Sequence, residues 1–433
     1  MQKRRLTLVA AAASVVGTMA IQASAQVLYN PVVDLIGDGT TTVAGTGYTA
    51  ADEIYFANFA NQVTPVASNN YSGTASGLVT ENSSASGELT NNQEVANAAA
   101  AGTQYLGTDF VFNGGYAGTD GTATVTSGNA TREVGYMTVT SNSLTPTIGA
   151  TQPGASLYAA SDLRGVVGIV SSGSFWAAGT SATTTTAGFQ YVNTPVQLAA
   201  APLNTRTVQI RNGQLYGSSD TGVGVGGPYV GISAIGSGTP TTGGQTALPL
   251  FQTGTSSTNS PYAFSLFDDS ANTSGTAPGV ASTFAAVPYN VAYITDAGNA
   301  SAAAGGIEKW VYNSANGTTN GGWTQVYKIF LSDGGAADTG NFGLAAQLDP
   351  TTNNVYLWST TNEGLELQQF TDPLDATLAT QAVTTDATEI TLATAPTNDL
   401  FRGVALAVPE PASAGLLGLG ALGLMARRRP RAT

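Results

Sequence analysis

Short runs of apolar or alternating residues recur along the middle of the chain, and each is bounded by Gly, Asn, Asp, Ser or Pro. Runs of this length with turn-forming residues between them are typical of β-strands, whereas helical periodicity is scarce. The pattern predicts an all-β body, with the alanine-dense residues 93–101 as a stretch compatible with a helix. The predicted strands are residues 166–170, 174–178, 208–210, 214–216, 229–232, 291–294, 307–312, 323–330, 354–358 and 401–407.

Four of these strands look like copies of one another, because each places an apolar or aromatic segment before a small polar stop. Two of them follow a hairpin-type turn, Asn212-Gly213 or Asn353-Asn354, where residues that tolerate positive φ are favoured. Equivalent positions are 40, 76 and 64 residues apart, which is one or two units of a blade-sized repeat of about 40 to 50 residues. These positions are Phe175, Leu215, Val291 and Val355.

The strand that ends the body resembles one near its middle. Residues 399–405 read Asp-Leu-Phe-Arg-Gly-Val-Ala, and residues 162–167 read Asp-Leu-Arg-Gly-Val-Val. A strand repeated at the end is expected if the sheets close into a ring, which leaves no long sheet edge exposed. We predict an all-β fold, a β-propeller over residues 26–407, with seven blades preferred and six or eight as alternatives. A sandwich or an irregular β-solenoid is the competing interpretation.

Several segments of the body are similar to a family of exported, Gly/Ser/Thr-rich bacterial propeller proteins. The resemblance covers the second half of the body far better than residues 26–160. It supplies no activity that can be carried over to individual residues. The segments that carry it are residues 165–179, 204–219, 230–244, 260–267 and 305–310.

The chain begins with the order of parts found in a secretory signal peptide. A charged start, Lys3-Arg4-Arg5, is followed by an apolar stretch and by the small residues Ala23 and Ala25. We predict cleavage by signal peptidase before Gln26, which removes residues 1–25. A retained membrane helix is the alternative, but the apolar stretch is short for a span. The adjacent arginines Arg4-Arg5 also resemble a twin-arginine signal, but such pairs are common in ordinary charged leaders, so the general secretory route is preferred.

The other end of the chain combines a proline motif, an apolar run and a basic cluster. The prolines of Val408-Pro409-Glu410-Pro411 disfavour a helix, so this segment is predicted to be extended and exposed. Residues 412–426 form a short apolar run, which as a transmembrane helix needs snorkelling side chains or local thinning of the bilayer. The basic cluster marks the cytoplasmic side. It consists of Arg427, Arg428, Arg429 and Arg431.

This order of Pro-Glu-Pro, short apolar helix and terminal basic cluster closely resembles the PEP-CTERM sorting signal, the substrate of exosortases. The resemblance covers residues 408–433. It implies that the tail holds the protein in the inner membrane until an exosortase cleaves near the Pro-Glu-Pro motif. It also implies residence in the envelope or matrix of a Gram-negative bacterium that makes exopolysaccharide. A plain C-terminal membrane anchor is the alternative, and it also leaves the body outside the cytoplasm.

Composition excludes several chemistries. The chain has no Cys and no His, which rules out disulfides, a Ser-His-Asp triad, a cysteine nucleophile, histidine-ligated zinc or haem, and Fe–S clusters. Residues 26–407 contain 26 acidic and 7 basic residues, a net charge of about −19. Such a surface argues against nucleic acid and anionic lipid as partners. It favours solubility, and it also suits weak calcium binding or contact with neutral glycans.

Three sets of residues are candidate binding or catalytic sites. Residues 222–227 have the glycine spacing of a dinucleotide fingerprint, but Pro228 and Tyr229 follow where a helix has to begin, so we predict a loop. Glu363 and Glu366 have the residue type of a glycosidase pair, but two acids in a polar loop are ordinarily solvated. Three oxygen-rich loops could hold calcium, although turn capping is the better interpretation. They contain Asp268, Asp269 and Asn272; Asp333, Asp338 and Asn341; and Asp372 and Asp375.

Aromatic residues form the last candidate set. They could stack on sugar rings if they lined a groove, but their positions within predicted strands favour packing between blades. They are Trp176, Trp310, Trp323 and Trp358, with Tyr191, Tyr216, Tyr293, Tyr312 and Tyr356.

These observations predict a non-catalytic surface or matrix protein that binds envelope polysaccharide or a protein partner, or that serves as a structural component of a biofilm. We predict no cofactor, with weak calcium binding as the alternative. Signal peptidase, exosortase and, transiently, the inner membrane are the expected partners in export. The rival function is a secreted carbohydrate-active hydrolase or lyase that uses Asp or Glu. An enzyme is expected to bring acids together with at least one raised pKa.

Overall fold

A computed structural model gives the fold. It describes residues 30–36, 54–58, 67–70, 78–79, 92–93, 110–117, 129–140, 143–220, 229–254, 259–269, 284–298, 305–316, 319–329, 340–349, 351–361, 364–374, 390–396 and 400–407. The predicted signal peptide and the predicted transmembrane helix of the tail lie outside these ranges. Within them, no helix has both the length and the apolar character needed to cross a bilayer.

The described residues form 25 strands and three short 3-10 helices. The strands are β1 Asn30–Ile36, β2 Ile54–Asn58, β3 Ala67–Asn70, β4 Leu78–Val79, β5 Asn92–Gln93, β6 Phe110–Ala117, β7 Arg132–Thr140, β8 Ser143–Gln152, β9 Leu163–Ile169, β10 Ser174–Gly179, β11 Gln190–Tyr191, β12 Val196–Gln197, β13 Thr205–Arg211, β14 Gln214–Ser219, β15 Gly231–Ile235, β16 Ala247–Gln252, β17 Pro261–Phe267, β18 Val291–Asp296, β19 Gly306–Tyr312, β20 Trp323–Ile329, β21 Asn341–Asp349, β22 Asn354–Thr361, β23 Glu366–Pro373, β24 Ile390–Thr394 and β25 Leu400–Ala407. The 3-10 helices are Thr184–Thr186, Ser314–Asn316 and Thr319–Gly322.

The strands pair into antiparallel sheets, five of four strands and one of five. Sheet I contains β4 to β8, sheet II β9 to β12, sheet III β13 to β16, sheet IV β17 to β20 and sheet V β21 to β24. The closing sheet has the order β25-β1-β2-β3. Strands β6, β9, β13, β17, β21 and β25 each contact the next in this series, and β25 contacts β6. The body is therefore an all-β, propeller-like arrangement, as the sequence pattern predicted.

The predicted count of seven blades is wrong, because the described residues form fewer sheets. The four similar strands are β10, β14, β18 and β22, which are the second strands of consecutive sheets II to V. The gaps of 76 and 64 residues between their equivalent positions therefore each correspond to a step of one sheet, not two. The long connections make these gaps exceed the repeat of about 40 to 50 residues.

The ends of the body meet in the closing sheet. Strand β25 pairs antiparallel with β1, with Asn30 opposite Ala407 and Val33 opposite Val404. The two similar segments at 162–167 and 399–405 each run into an inner strand, β9 or β25. Their likeness thus reflects equivalent places in the ring, and pairing of the two ends covers an edge that an open array would expose.

Local structure follows the turn chemistry of the sequence. Asn212 and Gly213 have φ values of 49° and 72°, and Asn353 has a φ of 59°, as expected for the tight turns that precede β14 and β22. The ten predicted strands overlap β9, β10, β13, β14, β15, β18, β19, β20, β22 and β25. Of the stretch thought compatible with a helix, Gln93 lies in β5 and the rest is outside the described residues.

The core lies between neighbouring sheets. Trp176 packs between sheets II and III, Trp310 and Trp323 between sheets III and IV, and Trp358 between sheet V and the closing sheet. All four tryptophans are buried, which confirms packing as their role. Of the predicted tyrosines, Tyr216, Tyr293 and Tyr312 are buried, whereas Tyr191 and Tyr356 are partly buried. The aromatic residues thus hold sheets together and do not form an exposed sugar-binding platform.

Candidate functional site

Charged side chains gather at the end of the ring where the inner strands begin, which we call the upper end. Contacts between inner strands define this end: the Arg206 guanidinium lies over the Tyr262 ring at 4.8 Å, and that of Arg402 lies over the Phe342 ring at 5.4 Å. Each of these residues is within the first three of its strand. The opposite end, where the inner strands finish, is the lower end.

The carboxylate cluster lies at the upper end between sheets III and IV. It consists of Asp220, Asp296 and Glu308. Asp296 is the last residue of β18 and pairs with Gly306, and Glu308 lies two residues further along β19. Because residues two apart in a strand share a face, Asp296 and Glu308 lie on one face of sheet IV. Trp310, the next residue on that face of β19, packs in the core shared with sheet III.

Asp296 accepts hydrogen bonds from two connections at the upper end, the one before β17 and the one after β18. Its Oδ1 accepts hydrogen bonds from the backbone N–H groups of Ser260 at 2.7 Å and Gly298 at 2.8 Å. Its Oδ2 accepts one from Asn259 Nδ2 at 2.6 Å. The carboxylate therefore fixes the segment that leads into β17 to the end of β18.

Glu308 is the most strongly perturbed acid of the carboxylate cluster. Its Oε1 lies 2.9 Å from Lys328 Nζ, and its Oε2 accepts a hydrogen bond from Trp310 Nε1 at 2.7 Å. Burial raises the pKa of Glu308 to about 7; Lys328 acts to lower it, and the nearby Asp296 acts to raise it. Asn259 Nδ2 lies 3.5 Å from Glu308 Oε1 and so contacts both acids of sheet IV. Glu308 thus has the pKa of a group that exchanges its proton near neutral pH.

Asp220 completes the cluster from sheet III. Arg206 donates to Asp220 Oδ2 at 2.5 Å and to Ser260 Oγ at 3.2 Å. Burial raises the pKa of Asp220, and the attraction of Arg206 opposes this. Asp296 adds a smaller upward effect on the same pKa. Asp296 therefore acts electrostatically on both other acids, and Ser260 links the Arg206 side to the Asp296 side.

The cluster is closed to solvent at its centre. Asp296 exposes 0% of its surface and Glu308 exposes 1%. Their four carboxylate oxygens all have the donors described above. The arrangement can hold a proton near neutral pH, and it joins sheets III and IV at the upper end. Chemistry on a polymer would require these donors to be displaced.

A second buried polar group lies on the other face of sheet IV, against sheet V. Asp372 on β23 accepts hydrogen bonds from Lys309 Nζ at 2.8 Å, from Tyr293 Oη at 2.5 Å and from Tyr327 Oη. Lys309 Nζ lies 5.5 Å and 5.4 Å from the centres of the two tyrosine rings. Burial raises the pKa of both tyrosines, and Asp372 raises it further. We call these four residues the lysine cluster.

Four residues of the proposed calcium loops lie in the described ranges. Asp268 is exposed and Asp269 is buried. Asn341 donates hydrogen bonds to Ser359 and Thr360, and Asp372 belongs to the lysine cluster. No group of three or more His, Cys, Asp or Glu side chains among the described residues is arranged to hold a metal ion. Glu366 accepts hydrogen bonds from Gln368 and Thr391.

Other predicted residues lie outside the described ranges. They are Asn272, Asp333, Asp338, Glu363, Asp375, residues 222–227, the signal peptidase site Ala23, Ala25 and Gln26, and the whole tail from Val408 onward.

Sequence reasoning missed the residues that the structure brings together. Asp220, Asp296 and Glu308 were not singled out, and neither was Lys309. One signal was present: Glu308-Lys309 interrupts the apolar strand at residues 306–312 with two charges. Charges inside a strand that is otherwise apolar require buried partners. The two side chains lie on opposite faces of sheet IV. Lys309 reaches Asp372 of sheet V, whereas Glu308 pairs with Lys328 within sheet IV.

The fold and the ends of the chain define a class: a propeller-like body of packed sheets with a sorting signal. The chain carries a PEP-CTERM protein-sorting motif at residues 407–429. A motif of this type implies export and sorting to the cell surface by an exosortase. No curated protein matches the chain.

Three solved structures are similar to this chain at low identity. One is a putative 6-phosphogluconolactonase from Bacteroides uniformis, with 11% identity, 86% of this chain and 100% of that chain covered, and a TM-score of 0.37. A nidogen/laminin complex has 10% identity, coverage of 87% and 98%, and a TM-score of 0.36. A hypothetical selenium-binding protein from Sulfolobus tokodaii has 12% identity, coverage of 87% and 93%, and a TM-score of 0.36. Likeness at this level carries no argument about function.

Proposed function

We propose that the protein is a non-catalytic component of the cell surface or extracellular matrix, and that its body binds or organises exopolysaccharide of the envelope. The sorting motif supports the location. The proposal extends to a Gram-negative host in which residues 412–426 hold the protein in the inner membrane before exosortase cleavage. Signal peptidase removes residues 1–25 during export.

The burial of the acids is the observation that carries the non-catalytic proposal. The carboxylate cluster brings three acids together, but Asp296 and Glu308 are enclosed and hydrogen-bonded. A glycosidase needs one carboxyl group against the leaving oxygen and a second against the sugar or a water. Side chains that are already satisfied inside an interface between sheets fit a structural role better. In this proposal, the polar connections between the strands make the contact with a partner.

The pKa of Glu308 favours the rival function. A carboxyl group with a pKa of about 7 beside a second acid has the property of a general acid. A carbohydrate-active hydrolase or lyase with Glu308 as the acid is therefore the second candidate. The two functions differ in what they do to the polymer: a binding protein leaves its length unchanged, whereas a hydrolase or lyase shortens it.

The sorting and binding parts of the proposal can be tested together. The full-length chain is produced in an exopolysaccharide-forming bacterium that has an exosortase, and cells, membranes and matrix are separated. We expect most of the processed protein in the matrix, sedimenting with the polymer. Replacing Pro409, Glu410 and Pro411 with alanine should trap the protein, unprocessed, in membranes. Unchanged processing of that variant contradicts exosortase sorting, and processed protein that leaves the polymer behind contradicts the binding role.

A further inference from the structure

We infer that the lower end of the ring faces the inner membrane while the tail holds the protein there, so that the upper end with the carboxylate cluster points outward. The inference rests on the membrane-held intermediate of the proposed function. It is based on the positions of the two ends of the body in the closing sheet.

Strand β25 crosses the ring from the upper to the lower end. Near its beginning, the Arg402 guanidinium lies over the Phe342 ring, and the Arg402 carbonyl accepts a hydrogen bond from Thr360. The strand then continues to Ala407, the partner of Asn30 at the start of β1. Since the two strands are antiparallel, the mature N-terminal segment and the sorting tail both leave the body at the lower end.

The tail allows little separation between the body and the membrane. Four residues, 408–411, connect Ala407 to the apolar run that begins at residue 412. A fully extended chain covers at most about 3.6 Å per residue, so these four residues span no more than about 14 Å. The lower end is therefore held close to the point where the chain enters the lipid.

The turns between the first and second strands of the sheets belong to the lower end, because each inner strand finishes there. Residues 170–173 join β9 to β10, and residues 351–353 lie in the connection from β21 to β22. At the upper end, β10 leads into the 3-10 helix Thr184–Thr186, and Leu365 precedes β23. These segments offer exposed positions at both ends for a direct comparison.

Because the body is acidic, it does not adhere to anionic lipid. The short connection at residues 408–411 therefore sets the orientation. Residues 26–407 have a net charge of about −19, so anionic lipid repels the body as a whole. The short connection then decides which face is nearest to the lipid. A polymer or protein that arrives from outside meets the upper end first.

Labelling of single cysteines tests the orientation, and the absence of native cysteine makes it clean. Ser172→Cys and Thr351→Cys report on the lower end, and Thr185→Cys and Leu365→Cys on the upper end; all four positions are exposed. Each is introduced into the full-length chain with Pro409, Glu410 and Pro411 replaced by alanine. Membranes that display the body outward are treated with a bulky polyethylene-glycol maleimide, before and after extraction in detergent.

We expect the lower-end cysteines to react several-fold more slowly than the upper-end cysteines in membranes, and equally fast after extraction. A flexible Gly/Ser insertion of about 20 residues after Ala407 should abolish the difference, because it adds about 25 Å of average reach. Equal rates at both ends in membranes, for a protein found in the membrane fraction, overturn the inferred orientation alone. Recovery of the unprocessed protein in the soluble fraction overturns the membrane-held intermediate, and the orientation with it.

Discussion

Sheet IV carries buried charged side chains on both faces, and the partners of these side chains differ between the two faces. Against sheet V, the carboxylate of Asp372 is matched by Lys309 and by two tyrosine hydroxyls. Against sheet III, Arg206 pairs with Asp220 and Lys328 with Glu308, and Glu308 has a pKa of about 7. The lysine cluster thus pairs its carboxylate with a cation, whereas the carboxylate cluster holds an acid whose charge changes near neutral pH.

Breaking the lysine cluster should have the largest effect on stability. Lys309→Met leaves Asp372 buried without its cation, and we expect a loss of about 3–5 kcal/mol in the free energy of unfolding. Urea unfolding measures it. The double variant Lys309→Met with Asp372→Leu should recover much of the loss, because no charge remains buried. A single variant as stable as the wild type would show that the lysine cluster does not hold sheets IV and V together.

The pH dependence of stability should separate the two faces. The folded pKa of Glu308 is raised from 4.5 to about 7, so the folded state binds more protons than the unfolded state between these values. Stability contributed by Glu308 is therefore present in full below pH 4.5 and is lost as the pH rises through 7, by roughly 3 kcal/mol. Burial also raises the pKa of Asp34 and Asp220, which gives the same sign.

Glu308→Gln is the matched variant for the pH dependence. It should flatten the stability profile between pH 5 and 8. The double variant Lys309→Met with Asp372→Leu, which leaves no buried charge in the lysine cluster, should keep the slope. Urea unfolding at several pH values gives both profiles. An identical slope in wild type and Glu308→Gln would contradict the account of this face.

Asp296→Asn should have an intermediate effect. The variant keeps one oxygen but places an NH2 group among donors, so at least one of three hydrogen bonds is lost. We expect a cost of about 1–3 kcal/mol, with faster amide exchange at Ser260 and Gly298. Exchange rates measured by mass spectrometry on the same peptides in Asp372→Asn serve as the control. A uniform change over the whole body would argue against a local role in pinning the upper connections.

Trp310→Phe should have the smallest effect. It removes the indole N–H that donates to Glu308 while it keeps an aromatic ring against Phe251, 4.8 Å away. A loss of about 0.5–1.5 kcal/mol is expected at pH 5, where Glu308 is protonated. The pKa of Glu308 should rise, because its charged form loses a donor. A pH midpoint that stays in place would show that the indole does not stabilise the carboxylate.

Much of the fold could be predicted from the sequence, because strand pattern and turn chemistry are local. The copies at Phe175, Leu215, Val291 and Val355 mark second strands of consecutive sheets. The number of sheets could not be read, because connections of variable length make one repeat look like two. The clusters could not be read either. Lys309 and Asp372 are 63 residues apart, and only the packing of two sheets brings them together.

We propose that the body binds or organises polymer without cutting it. This can be tested by incubating purified exopolysaccharide with the exported protein and measuring the molar mass of the polymer by size-exclusion chromatography with light scattering. We expect a constant polymer mass with protein co-eluting, for wild type and for Glu308→Gln alike. A steady fall in mass that Glu308→Gln abolishes, with the variant still folded by circular dichroism, would contradict it.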